Sequence, residues 1–232
     1  MLGVIVNTLA VIIGSFVGLI FKSKISEKFT SSIMIGIGLC TLSIGISGTL
    51  KGENPLVLIG SIILGVIIGE GIDLNEKIQN IGEYFERKVK KDENSKVSVT
   101  QGFVTGSLLF CIGAMTIVGS LNAGLTGDNQ MLYTKSFLDL ISSTMLAATL
   151  GIGVLFSSIF VFLFQGLLVV LAQYLEPILT QNTISEITSV GSLLIIALGL
   201  NIIGITKIKV ANYLPAILIV PILTFFIRVI GF

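Results

Sequence analysis

The residues able to do chemistry are few, and they lie in apolar surroundings. Asn7 and Gln165 sit well inside long uncharged runs. Asn201 follows a Gly-Leu pair, and Thr116 falls in the stretch Cys111-Ile112-Gly113-Ala114-Met115-Thr116-Ile117-Val118-Gly119. A polar group in hydrocarbon is costly unless it has a partner. Each of these side chains is therefore either a ligand for a solute or one half of an interhelical hydrogen bond. An amide both donates and accepts, which suits a neutral or weakly polar solute better than a bare multivalent ion. Gly113 and Gly119 have no side chain to fill a gap and could open backbone carbonyls to a cavity. Asp139 is expected at the start of a helix, as a site carboxylate or as a simple charge on the helix dipole. The candidate ligand-binding set is Asn7, Cys111, Gly113, Thr116, Gly119, Asp139, Gln165 and Asn201. Within it, Thr116 and Asn201 are expected at the membrane midplane and Asn7 and Gln165 as gate residues.

Other chemistries lack their parts. The chain has no His, and Cys40 and Cys111 are its two cysteines. A structural zinc site takes about four such ligands. Glu70 and Asp139 are expected at opposite membrane faces, so they do not form a catalytic pair. The expectation is a protein that is not an enzyme and holds no cofactor. A net charge of +1 provides no basic face for nucleic acid.

The elements that position these residues are membrane helices. Hydrophobic residues make up 53% of the 232 and charged residues 12%, where a soluble domain has roughly a quarter charged. A crossing takes about 20 apolar residues. Apolar stretches of that kind lie at 2–21, 31–50, 101–120, 187–206 and 210–230, the last holding Arg228, with a shorter one at 55–70 opened by Pro55 and closed by Glu70. Residues 140–175 form an uncharged run of 36. As one helix it would measure roughly 54 Å, so two crossings with a turn near Ser157 and Ser158 are expected. The sequence thus predicts an all-α, polytopic bundle of about eight spans in a single membrane domain, 1–232. Within it, residues 1–70 form a first three-helix group, 71–98 a cytoplasmic linker, 99–156 two central helices and 157–232 a second three-helix group. In the linker, Ile78, Ile81, Phe85 and Val89 mark an amphipathic helix over 74–89, followed by a basic patch through residue 96. From Cys111 to Asp139 the chain reads either as a re-entrant or gating element or as an ordinary loop.

Basic residues orient the bundle. With the N-terminus outside, the inner segments hold 11 Lys and Arg and the outer ones 3, as the positive-inside rule requires. Both termini are then outside. The two three-helix groups share weak internal symmetry. Gly38-Leu39 answers Gly199-Leu200, Ile25-Ser26-Glu27 answers Ile184-Ser185-Glu186, Pro55 answers Pro215, and Asn7 answers Gln165. The groups begin on opposite sides, so they read as inverted repeats, a common transporter plan. Gly-rich apolar segments also match each other by chance. Gly14/Gly18, Gly65/Gly69, Gly102/Gly106 and Ala147/Gly151 are small-residue pairs four apart, marking close packing in the bundle or a homodimer face.

These residues also carry a family likeness. The chain resembles the bacterial YdfK/YqgA-like membrane family, a domain of unknown function. The matching features are Gly3, Asn7 and Gly14, the run Leu109 to Met115, Gly119-Ser120 and Gly124 to Asp128. Lys135-Ser136 with Asp139, Gln165-Gly166, and Asn212 to Ala216 continue it. The resemblance covers essentially the whole chain. It implies a multi-pass protein of the bacterial cytoplasmic membrane and no substrate.

The function expected first is a secondary transporter of a small solute or ion. The alternative is a structural or regulatory membrane protein acting through a partner or lipid, with residues 74–96 as its docking segment. Membrane lipid is the expected partner in both.

Overall fold

The computed structural model describes residues 1–22, 27–78, 80, 99–111 and 114–230. Ten α-helices are described: α1 (Leu2–Lys22), α2 (Glu27–Thr49), α3 (Pro55–Gly71), α4 (Val99–Cys111), α5 (Ala114–Leu125), α6 (Gln130–Leu150), α7 (Gly153–Val170), α8 (Ala172–Leu175), α9 (Gln181–Ile203) and α10 (Pro215–Ile230). A 3-10 turn, Val210–Tyr213, precedes α10. The protein is almost entirely helical, as expected. Helical backbone also covers 74–78; the rest of the expected amphipathic helix and the basic patch lie outside the described residues.

The expectation of about eight spans is not met. Among the described residues four helices are long and apolar enough to cross a membrane: Leu2–Phe21, Gly153–Val170, Gln181–Ile203 and Val210–Arg228. A fifth is added if Val99–Cys111 and Met115–Leu125, bent by 60° at their junction, count as one span. Counting uncharged residues overstated the number because it merged helix with turns and caps. The 17 residues of α3 rise only about 26 Å, short of a core of about 30 Å. The described apolar part of α2 is Ile35–Thr49, shorter still. Helix α6 has length enough, at 21 residues, but carries Lys135 and Asp139 among Ser and Thr side chains.

The turn in the long uncharged run is also displaced. It falls at Gly151, not at Ser157 and Ser158. Gly151 has φ of +76°, a conformation that costs glycine little and other residues more. Ser157 and Ser158 instead donate to the Val154 and Leu155 carbonyls at 2.6 and 2.7 Å. Serine can satisfy itself against its own helix in this way, so it marks no break. The N-terminus of α9 comes earlier than expected as well. Thr180 caps it by accepting from the Thr183 N–H, which turns the polar stretch 181–186 into helix.

Glycine contacts define how the helices pair. Gly3, Gly14 and Gly18 pack on Leu132, Ser143 and Ala147, so α1 runs parallel to α6. Met1 reaches Gly166, because the chain reverses at Gly151 and α7 returns antiparallel to α1. Gly102 and Gly106 pack on Gly153 and Ser157, and Gly124 packs on Val169. The bent α4–α5 unit therefore tracks α7 in parallel. Gly38, Gly45 and Gly52 meet Gly199, Ile196 and Ser189, so α2 is antiparallel to α9. Gly60, Gly65 and Gly69 meet Leu223, Ala216 and Asn212, so α3 is antiparallel to α10. The four small-residue pairs singled out in the sequence pack inside the chain. Large side chains point the other way: Leu2, Ile5, Leu9, Ile13, Phe16 and Ile20 are exposed along α1. An apolar stripe facing outward over a small and polar interior is the arrangement that lipid requires.

Candidate functional site

Polar chemistry concentrates where α1, α6, α7 and the α4–α5 break meet. Lys135 and Asp139 stand one turn apart on α6 and form an ion pair. Each residue is only 6% exposed. Burying two charges costs several kcal/mol per ion before their attraction is counted, so such a pair in a membrane protein calls for a role. The amide of Asn7 on α1 lies beside the Asp139 carboxylate. Cys111, the last residue of α4, is buried within the electrostatic reach of both Lys135 and Asp139. The end of α4 thus lies near the ion pair. Thr116 spans the α4–α5 break by donating its hydroxyl to the Phe110 carbonyl at 3.0 Å, which supplies a partner to a carbonyl left over at the end of α4.

Two amides in this half of the bundle are unusual. Asn7 and Gln165 are both fully buried, and neither the nitrogen nor the oxygen of either amide has a hydrogen-bond partner in good geometry. Asn7 is near the carboxylate without meeting it well. Ser15 and Ser120 hydroxyls are buried and unpartnered too. Native interiors leave few such groups. The ion pair with the Asn7 amide beside it forms a polar layer, and Gln165 on α7, Ser15 on α1 and Ser120 on α5 are further buried polar groups on the surrounding helices. Such a layer can hold a proton, a water chain or a small polar solute.

The remaining sequence candidates separate from this layer. Gly119 faces α6, where an added Cβ would lie 3.2 Å from Leu132. Gly113 lies outside the described residues. Asn201 is elsewhere, at the end of α9. Its amide accepts from Thr206 Oγ1 and the Ile208 N–H at 2.7 and 2.9 Å and donates to the Ile208 carbonyl at 2.8 Å. It is thus occupied in holding the 204–208 turn, beside a cavity of about 280 Å³ that Lys207 and Lys209 also line. Asp139 does not open its helix; it is the tenth residue of α6. Lys135 is not among the sequence candidates, and its spacing of four from Asp139 is the signal that could have joined them. Among the described residues no group of three or more His, Cys, Asp or Glu could hold a metal ion.

A second cavity lies away from the ion pair. It measures about 690 Å³ and lies at the end of the bundle where α3 and α9 begin and α10 finishes. Glu186 forms part of its wall. That residue, fully buried on α9, accepts the Glu53 and Asn54 N–H groups on Oε1 at 2.7 and 2.8 Å.

Comparison with known proteins fits this membrane architecture. The model of the family described as "Protein of unknown function (DUF554)" matches residues 2–225. The chain belongs to this family. It is 35% identical over 235 residues to the uncharacterized membrane protein YdfK of Bacillus subtilis (strain 168), covering 100% of this chain and 99% of that one. It is 34% identical over 223 residues to the uncharacterized protein YqgA of Escherichia coli (strain K12), covering 94% of each. No solved structure matches the chain. The protein is a multi-pass membrane protein of bacterial type.

Proposed function

We propose that the protein is a secondary transporter of a small solute or ion, built from two inverted three-helix repeats. The observation that carries this reading is the mutual approach of Gly38 and Gly199, the glycines that correspond in the two halves of the sequence. Each would place a Cβ within 3.2 Å of the other's carbonyl oxygen. A two-fold axis in the membrane plane makes equivalent residues meet each other, and antiparallel helices are what it relates. The pairings α1 with α7, α2 with α9 and α3 with α10 all have that sense. Asn7 and Gln165, the corresponding amides, are alike in being fully buried with unused hydrogen-bonding capacity.

Inverted repeats support alternating access, in which one unit rocks against the other around a fixed site. The Lys135–Asp139 pair with Asn7 and Gln165 is the site we assign, and its zero net charge favours a neutral or zwitterionic solute or a proton. We further propose that both termini face outward: with the four crossings, every Lys and Arg from Lys22 to Lys135, and Lys207 and Lys209, then lies inside, as the positive-inside rule requires. A reporter fused at residue 90 should then signal from the cytoplasm; a periplasmic signal there would invert the orientation.

The transport reading is tested by accessibility. Asn7→Cys is made in a Cys40→Ser, Cys111→Ala background and reconstituted into liposomes. A membrane-impermeant maleimide should reach this buried position from both sides, on separate occasions, as the bundle alternates. Absence of labelling from either side over hours would mean a static interior and would end the proposal.

A further inference from the structure

We infer that the C-terminal end of α9 carries a binding site for one anionic phospholipid, with its phosphate held by Lys207 and Lys209 and one acyl chain laid in an adjoining apolar groove. The inference concerns binding and stands whether or not the protein transports.

The headgroup end is the cavity of about 280 Å³ beside Asn201. Lys207 and Lys209 both line it and both are exposed, so a ligand reaches them from water or from the headgroup layer. Thr100 and Gln101 of α4 and Thr206 line it as well. Among the described residues no carboxylate lines this cavity, and neither lysine is in an ion pair. Two like charges around one small space repel each other, and an anion between them removes that cost. An ammonium has three donors and no acceptor, which suits the oxygens of a phosphate. The lysines are also held in place. Ile208, the residue between them, is tied to the Asn201 side chain through its N–H at 2.9 Å and its carbonyl at 2.8 Å.

The rest of the ligand is set by what adjoins this cavity. A smaller, apolar one of about 220 Å³ is lined by Ile62 of α3, by Leu193, Ala197 and Leu200 of α9, and by Tyr213. The two cavities share Ile208 and Val210 as wall residues, so they meet at the 208–210 segment. From Leu200 back to Leu193 the groove follows α9 for about 10 Å at 1.5 Å per residue. It leads away from the lysines and along a helix long and apolar enough to cross the membrane, the direction an acyl chain takes from its headgroup. Tyr213 on the groove wall is a residue type enriched at headgroup level. Basic pockets between membrane helices are where anionic headgroups settle. A free phosphate would use the first cavity and leave the groove empty; a phospholipid uses both.

The test uses the full chain in micelles of a neutral detergent, titrated with phosphatidylglycerol and counted lipid by lipid in native mass spectrometry. The first phosphatidylglycerol should bind about tenfold or more tightly than the first phosphatidylcholine, as for two lysines acting on one anionic headgroup. Lys207→Gln with Lys209→Gln should abolish that difference, and Lys207→Arg with Lys209→Arg should keep it. Lys51→Gln with Arg228→Gln removes two exposed cations elsewhere and should also keep it. Ala197→Phe, which fills the groove and leaves both lysines in place, should weaken the first phosphatidylglycerol by a similar factor. Inorganic phosphate should not displace the lipid. The lysine variants change exposed side chains alone, so they decide the matter if Ala197→Phe does not fold. Equal binding of the two lipids, no loss in the glutamine pair, or the same loss in the Lys51 and Arg228 control would each overturn the inference. So would full binding by folded Ala197→Phe, or displacement by inorganic phosphate, which would mark a site for a soluble anion.

Discussion

Gly38 and Gly199 face each other with reciprocal geometry: a Cβ on Gly38 would lie 3.2 Å from the Gly199 carbonyl oxygen, and a Cβ on Gly199 would lie 3.1 Å from the Gly38 carbonyl oxygen. Neither helix can move aside cheaply, since Ile203 and Leu42 already fill the flanks of the contact. Gly38→Val and Gly199→Val should each destabilise by about 1–3 kcal/mol through overpacking. Gly36→Val, where nothing lies within 4 Å of the added atom, should leave the melting temperature in detergent nearly unchanged. Equal melting of all three would remove the close approach.

The buried ion pair predicts a non-additive pattern. Asp139→Asn alone strands the Lys135 ammonium, and Lys135→Met alone strands the carboxylate. Each should cost about 3–5 kcal/mol, as when one partner of a buried pair is removed. The double replacement Lys135→Met, Asp139→Leu should recover most of that loss in chemical denaturation. Additive losses would mean that the two side chains do not act as a pair.

Asn7 and Gln165 should respond differently. With no well-formed hydrogen bond to lose, Asn7→Leu and Gln165→Leu are expected to be close to neutral, within about 1–2 kcal/mol either way. Under the transport proposal the same replacements abolish solute flux. A large fall in thermal stability would show that the amides are structural.

Asn201 is the contrasting amide. Asn201→Ala removes three hydrogen bonds from the 204–208 turn and should cost about 1–3 kcal/mol. Amide hydrogen exchange at residues 204–208 should rise, while exchange in α1 and α6 stays as it was. Unchanged exchange in the turn would refute this assignment.

Gly151 should be intolerant where its neighbours in sequence are not. At φ of +76°, Gly151→Ala should lose about 1 kcal/mol or more from backbone strain. Ser157→Ala, at the position where the sequence had suggested the turn, is expected to change stability by less than about 0.5 kcal/mol, because it removes only a bond to its own helix.

Much of the interior was legible from residue type. Asn7, Thr116 and Gln165 stood out as polar groups in apolar runs, and all three are buried. The small-residue pairs marked helix contacts, because only Gly, Ala and Ser permit backbones to approach so closely. The number of spans was misread for a physical reason. An absence of charge does not distinguish helix from the turn at Gly151 or from a helix too short to cross, such as α3. The role of Asn201 was hidden as well, since its partners come from a turn that apolar patterning does not register. Glu186 stood out only as the end of a repeated triplet, just before the expected span at 187–206. Its signal was the Thr180 cap six residues earlier, which moves the glutamate into the helix and so into the wall of the cavity.

Helix length has a consequence for the surrounding bilayer. Helix α3 has 17 residues and α9 has 23, so their axial reach differs by roughly 9 Å at 1.5 Å per residue. Ile59, Ile63 and Ile67 are exposed on α3, so its short side borders lipid. Acyl chains beside it must compress or tilt, at a fraction of a kcal/mol per Å of mismatch. The expected consequence is a preference for thin membranes. In vesicles of graded acyl-chain length its stability should peak at the shorter chains.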